Sequence, residues 1–188
     1  VHELKEIPKF KEGDEVECKI NMIRRKQLSI HHTATHVINA AARKVLGNHV
    51  NQASAFKDVN KARLDITHYQ SLTQEEIKKI EDEANKIVAK KIKVEKSFMS
   101  RDEAEKKYGT LIYQGGVVPG KNIRIVNIKN TDVEACGGTH LDNTSEVGKI
   151  KILKSTKISD AIVRLEYVSG KKYEEELNYE KEILKEAS

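Results

Sequence analysis

The sequence predicts an α+β fold: a mixed or antiparallel sheet with packed helices, preceded by a piece of short strands and followed by a C-terminal helix. Three observations carry that reading. Residues 123–128, 147–155 and 161–168 alternate apolar and polar side chains and are rich in β-branched residues, the pattern of half-buried strands. Two capping boxes, Thr73 with Glu76 and Ser100 with Glu103, open helices between strand-like runs. The order of elements, one helix and then mixed strands and helices, lacks the regular alternation that builds a parallel sheet.

Taken in order, residues 1–25 read as short strands. Gly13-Asp14 is a turn signal, and Val16, Cys18 and Ile20 alternate with Glu17 and Lys19. This piece, residues 1–28, is too small to fold alone, and Cys18 reads as a small core residue within it. A helix follows, with Ser29 as N-cap and Gly47 just past its end. Its residues His32, His36, Val37, Ala40 and Ala41 share roughly one face. Runs at 49–56 and 62–68 read as strands. Thr73 opens a second helix with the apolar stripe Ile77, Ile80, Ala84 and Ile87. Residues 92–99 read as a strand, and Gly109 ends the short helix begun at Ser100. Residues 29–170 make the main domain. From Lys171 the Gly- and Pro-free run KKYEEELNYEKEILKEAS predicts an amphipathic helix, residues 171–188, leading into a further domain or a coiled coil.

Composition narrows the class. The chain has 188 residues, and its 38% of hydrophobic residues fall in periodic runs, which excludes full disorder. No stretch approaches the ~18–20 apolar residues of a membrane span, and no signal peptide opens the chain. Two cysteines build no disulfide framework, so a reducing, cytoplasmic setting is expected. A net charge of +5 is compatible with a phosphate-bearing partner such as RNA. The chain opens on Val1 rather than Met, which predicts a fragment or a processed product.

The chemistry lies in two short motifs. His32-Thr33-Ala34-Thr35-His36 places two imidazoles one helical turn apart, about 6 Å along the axis and on one face. About a hundred residues later, Cys136-Gly137-Gly138-Thr139-His140 offers a thiol and an imidazole around a pair of glycines that can bend the backbone. Either motif alone is more often a polar patch or a set of core side chains than a metal site. Together they make an N₃S donor set, which favours zinc over magnesium or calcium. His31 lies about 100° around the helix from His32 and reads as a surface or outer-layer histidine. The zincin motif HExxH is absent, because Thr33 follows His32, and so is the HxE…PCxxC of nucleobase deaminases. Residues 115–122 nearly match a phosphate-binding loop, but the run ends in Asn122 and leads into a strand pattern, so nucleotide binding is rejected.

At this point a family resemblance becomes specific. HHTATH, then HVNQAS, ARLDITHY and EACGGTH, in this order and spacing, resemble the editing domain of alanyl-tRNA synthetase and its free-standing AlaX relatives. The editing domain of threonyl-tRNA synthetase is a more distant relative. The resemblance implies a two-layer α+β domain after a small barrel-like subdomain. It implies hydrolysis of tRNA(Ala) wrongly charged with serine or glycine, and a zinc ion on His32, His36, Cys136 and His140. Gln52 lies where the family places a pocket glutamine, and it is the expected catalytic residue. Residues 63–68 match a family strand to which no individual roles are assigned. The glycine-rich GGQ segment of the family is not found before residue 25, and the helix after Gly170 resembles the start of the synthetase's C-terminal domain. Both favour a synthetase fragment, with other synthetase domains as partners, over a free-standing protein.

The substrate so implied is an ester at the terminal ribose of tRNA. Zinc could activate water and polarise the carbonyl, yet four protein donors close a tetrahedral site. One ligand could be loose, the ion could become five-coordinate, or it could hold the substrate's amino group or hydroxyl while water is activated elsewhere. Gln52 either orients water or substrate or ties two strands. Arg24 and Arg25, with Lys26, either meet acceptor-stem phosphates or form a solvated run. Two rivals are a structural zinc module that only binds RNA and a metal-dependent hydrolase of another ester.

Overall fold

The structure is a computed structural model that describes residues 6, 7, 9–114, 116 and 118–186. It is an α+β fold of two antiparallel sheets with packed helices and a C-terminal helix, without a closed barrel. The first sheet has the order β1-β2-β7-β6 and the second β3-β4-β5. Their strands are β1 (Gln52–Lys57), β2 (Ala62–Thr67), β3 (Val94–Ser100), β4 (Asn122–Ile128), β5 (Asp132–Ala135), β6 (Ile150–Ser159) and β7 (Ile162–Ser169). The helices are α1 (Met22–Leu46), α2 (Gln74–Ala89), α3 (Arg101–Tyr108) and α4 (Lys171–Glu186).

Helix α1 starts earlier than Ser29. The Asn21 side chain accepts from the Arg24 backbone N–H at 3.0 Å, and no Gly or Pro interrupts the residues between. An asparagine caps as well as a serine, so the helix propagates from there. Ser29 lies inside it, buried, and its hydroxyl donates to the Arg25 carbonyl at 2.9 Å. Upstream, residues 9–21 form no strand, and Val16, Cys18 and Ile20 are exposed. Alternation alone does not make a strand: no described strand lies beside this segment to take its backbone hydrogen bonds. Cys18 is therefore a surface residue rather than a core one. Residues 1–5 and 8 of the expected barrel piece lie outside the described residues, as do 115 and 117 of the rejected phosphate-loop run and 187–188 of the last helix. The last residue of that run, Asn122, opens β4, in keeping with the rejection.

The capping boxes at Thr73 and Ser100 form with both reciprocal bonds, and Gly47 closes α1. One strand was not foreseen. Asn130 takes a left-handed conformation (φ 57°), which asparagine tolerates, and turns β4 back into the short β5. The run expected as a strand from 147 instead begins in a 3₁₀ turn, Thr144–Val147, capped by Asn143, and pairing starts at Ile150.

Helix α1 is the centre of the molecule. Ala34, Val37, Ile38 and Ala41 enter the main core with Leu64, Ile66, Leu165 and Tyr167 of the first sheet and Ile80 and Ile87 of α2. The alanines keep that face flat enough for close approach. A smaller core of Ala104, Ile112, Ile123, Ile125 and Ala135 lies behind the second sheet. Tyr167 is fully buried, its hydroxyl 2.8 Å from the His31 carbonyl oxygen and 2.6 Å from Thr35 Oγ1. Tyr167→Phe keeps the ring but removes both contacts of the hydroxyl, leaving Thr35 Oγ1 and the His31 carbonyl only their bond to each other (2.9 Å), so it should lower unfolding free energy by about 0.5–1.5 kcal/mol in urea titration. An unchanged midpoint would mean that the bond to α1 adds nothing beyond the ring.

Candidate metal centre

Four donors converge where α1 faces the loop after β5. His32 and His36 stand one turn apart on the helix. The loop Cys136–His140 is held at both ends. The Cys136 N–H extends the ladder to the Arg124 carbonyl (3.0 Å), and Arg124 Nη1 donates to the carbonyls of Cys136 (2.8 Å) and Gly138 (2.7 Å). At the far end Thr33 Oγ1 accepts from the Leu141 N–H at 3.1 Å and lies 3.3 Å from His140 Nδ1. Between these anchors Gly138 lies against His32: a Cβ there would sit 2.0 Å from His32 Cε1. The glycine is needed for space, whereas a Cβ on Gly137 would meet nothing within 4 Å.

The donor atoms of His32, His36, Cys136 and His140 all lie within 4.8 Å of one another. Cys136 Sγ is 3.4 Å from His32 Nε2 and 3.3 Å from His140 Nε2. A zinc tetrahedron with arms of 2.0–2.3 Å has edges of roughly 3.3–3.8 Å, so these separations already match. Two residues missed in the sequence stand beside the donors, one on each nitrogen of His36. Asp132 Oδ2 lies 2.9 Å from His36 Nδ1 and turns Nε2 inward, the usual outer-layer device for a metal-binding histidine. Buried Glu134 lies 3.4 Å from His36 Nε2 and accepts from Asn39 Nδ2 at 3.3 Å. The sequence does carry a sign of them: Asp132, Glu134 and Cys136 alternate, so they share one face of β5.

Electrostatics suit a cation. Burial, with the charges of Lys57, His36 and Arg124, lowers the pKa of His32 to about 2, and burial with the same kind of neighbours lowers that of His140. Both rings thus keep a lone pair free. Burial alone would disfavour a charged His36, but Glu134, Asp132 and Cys136 outweigh it and raise its pKa. Burial likewise opposes ionisation of Cys136, and the hydrogen bond and charge of His36 overcome it. Burial raises Glu134. The carboxylates that favour positive charge at His36 would equally favour a metal ion in place of a proton on its Nε2, and the donor set fits Zn²⁺.

A cavity of about 440 Å³ opens beside the cluster, lined by Arg24, Arg25, Leu28, His32, Lys57 and Thr139 among others. The structure thus brings both arginines to the edge of the centre. Lys26 turns away to Glu146, 2.5 Å distant. Gln52 is not part of this lining. Its backbone N–H donates to Gln114 Oε1 (2.8 Å), its side-chain amide lies 3.5 Å from the Gln114 carbonyl, and no hydrogen bond among the described residues joins it to the four donors. His31 is neither on the surface nor in the cluster. It is fully buried, with Nδ1 2.6 Å from the Asp58 carbonyl and Nε2 3.0 Å from Gln27 Nε2. A carbonyl can only accept, so Nδ1 carries the proton and Nε2 accepts from Gln27.

The glycine pair yields a matched test. Gly138→Ala should push His32 off its position, cost about 1–3 kcal/mol of stability, and weaken metal retention in a chelator competition. Gly137→Ala should leave both unchanged. Equal behaviour of the two variants would show that the loop shifts freely and does not fix His32.

Residues 123–166, which include Cys136 and His140, match the threonyl and alanyl tRNA synthetase second additional domain. The chain is 55% identical over 169 residues to the alanine–tRNA ligase of Methanococcus maripaludis, covering 90% of this chain and 19% of that protein. It is 53% identical over 187 residues to the alanine–tRNA ligase of Methanococcus aeolicus, covering 100% of this chain and 20% of that protein. For the ligase of Sulfurisphaera tokodaii the identity is 52% over 187 residues, with 100% and 21% covered. The chain spans about a fifth of the length of the curated relatives it matches. With identity above one half along its whole length, this chain is similar to one segment of those longer alanine–tRNA ligases.

Proposed function

We propose that the chain binds one Zn²⁺ through His32, His36, Cys136 and His140 and hydrolyses tRNA(Ala) wrongly charged with serine or glycine, as the editing part of an alanine–tRNA ligase. One observation carries the reading: the four-donor cluster borders, through His32, a cavity whose rim bears Arg24 and Arg25. A metal edge and phosphate-seeking cations on one cavity suit an ester at the end of a nucleic acid. When bound, zinc would supply Lewis acidity at the ester and a more acidic water. The chain's own residues do the positioning. Arg24 and Arg25 would take backbone phosphates of the acceptor end, and Asp132 and Glu134 orient and charge-balance His36. Specificity against alanine would come from a hydrogen bond to the serine hydroxyl, which an alanyl group leaves unmade. Gln52 reaches the chemistry only if it leaves Gln114 when substrate enters. Such a protein would work in the cytoplasm, and among the described residues no helix is long and apolar enough to cross a membrane.

A second reading has its own support: four mutually close protein donors fill a tetrahedron, as structural zinc sites do. The two separate by assay. Elemental analysis should give about one zinc per chain. Cys136→Ala should lose metal and activity, and exposed Cys18→Ala should keep both. Ser-tRNA(Ala) should be deacylated much faster than Ala-tRNA(Ala). RNA binding without hydrolysis of either mischarged form would favour the structural module.

Two further variants assign the neighbours. Replacing Arg24 and Arg25 by alanine should weaken tRNA(Ala) binding and reduce its salt dependence, with zinc retained. Gln52→Ala should slow single-turnover deacylation if its amide meets the substrate. A wild-type rate would leave it as the tie between β1 and Gln114.

A further inference from the structure

The cavity beside the metal centre is lined by a third cation, and it comes from a different element. Lys57 ends β1, where its backbone pairs with Ala62 across the β1–β2 hairpin. It is half-buried, and among the described residues its Nζ makes no hydrogen bond and no ion pair. Other partly covered lysines are matched: Lys96 with Asp142 at 2.5 Å, and Lys151 with Glu180. Burial lowers the pKa of Lys57, opposed by the negative charges of Cys136 and Glu134. Those two groups are already engaged, Cys136 with the histidines and Glu134 with Asn39 and His36.

The position of Lys57 is built. The next residue, Asp58, offers its carbonyl to His31 Nδ1 at 2.6 Å, and its N–H donates to the Lys61 carbonyl at 3.1 Å. The buried His31 thus pins the hairpin turn to α1 one residue away from His32, and both sides of the cavity are set by the same contact. A partly desolvated ammonium without a partner is costly, and the cost falls when an anion enters.

We propose that Lys57 receives an anionic oxygen of the substrate in this cavity. The proposal rests on the hydrolytic reading above. The oxygen has two possible sources of the same chemistry: the ester carbonyl as charge develops on it, or a phosphate next to the terminal nucleotide. Arg24 and Arg25 approach from the α1 side and Lys57 from β1, so an anion in the cavity meets cations from two elements.

The test uses the zinc-loaded full chain with Lys57→Met, which keeps most of the stem, and Lys57→Arg, which keeps the charge. Three quantities are read: zinc content, single-turnover deacylation of Ser-tRNA(Ala) at saturating protein, and binding of uncharged tRNA(Ala) across a salt series. If the oxygen is the ester's, Lys57→Met loses about 10²–10³-fold in rate with uncharged tRNA bound as before. If it is a phosphate, binding weakens, the slope of log affinity against log salt shrinks by about one, and the saturated rate is nearly kept. Either result, with Lys57→Arg closer to wild type, supports the proposal. A wild-type rate and salt slope in Lys57→Met would overturn it, and so would loss of zinc from that variant, which would make Lys57 a structural part of the centre. If the unmodified protein binds tRNA but hydrolyses neither Ser- nor Gly-tRNA(Ala), the hydrolytic reading falls, and the salt slope alone decides on Lys57. If it neither binds nor hydrolyses, both fall.

Discussion

A helix that carries polar side chains into the interior can be buried only if something opposite answers each of them. That constraint organises this molecule. Helix α1 is buried from Ser29 to Ala42 almost without a break, yet one stripe of it, spaced four and three residues apart, is His32, His36, Asn39 and Arg43. Opposite, β5 and the residue after it present Asp132, Glu134 and Cys136. His36 meets Asp132 and Glu134, Asn39 meets Glu134, and Arg43 lies 3.7 Å from Asp132. Each group is costly to bury alone, and the seam holds because helix and strand bring them in together. The match is incomplete at two atoms: Asn39 Oδ1 and Arg43 Nη2 are buried without a hydrogen-bond partner among the described residues. The cluster of metal donors is the end of this same seam that reaches the surface cavity.

Much of this was legible in the sequence, and the reasons for the failures are physical. HxxxH and CxxxH could be paired because metal donors must be few, specific and close, so coincidence is improbable once both occur. Capping boxes at Thr73 and Ser100 were legible because they are local: every partner lies within three residues. β5 was not, because a four-residue strand with two carboxylates looks like a polar loop until its partner β4 is known. With β5 went Asp132 and Glu134, whose burial is decided by α1, almost a hundred residues away. Cys18 failed in the opposite direction. The alternation around it is a true local pattern, but a strand also needs a neighbour, and no local pattern supplies one.

His31 shows how a residue can matter to a site without belonging to it. Its sequence position suggested an onlooker beside His32. In the structure it is wholly buried and fixes both the turn of the β1–β2 hairpin and, through Gln27, the end of β7, because Gln27 Nε2 also lies 3.1 Å from the Ser169 carbonyl. One residue of a buried pair holds the scaffold, and the next faces the cavity. Adjacent helical positions point about 100° apart, so the division of labour follows from helix geometry.

The upstream start of α1 has a consequence for the site as well as for the boundary. Had the helix begun at Ser29, Arg24 and Arg25 would lie on a separate segment whose distance from His32 nothing fixed. Because Asn21 caps it instead, Arg24, Leu28 and His32 fall four residues apart on one face, and Arg25 joins Leu28 and His32 at spacings of three and four. At about 1.5 Å per residue the arginines stand roughly 10–12 Å along the axis from His32. The helix is therefore a ruler between cations suited to a phosphate and the edge of the metal centre, with an apolar Leu28 midway that can take no charge. Under the proposed function, a rigid spacing of this kind would suit a ligand whose anionic group and reacting end lie a fixed distance apart, as a mobile loop would not. Residues 22–26 are exposed and bury almost nothing, so this first turn is held by the Asn21 cap and by continuity with the buried part of the helix.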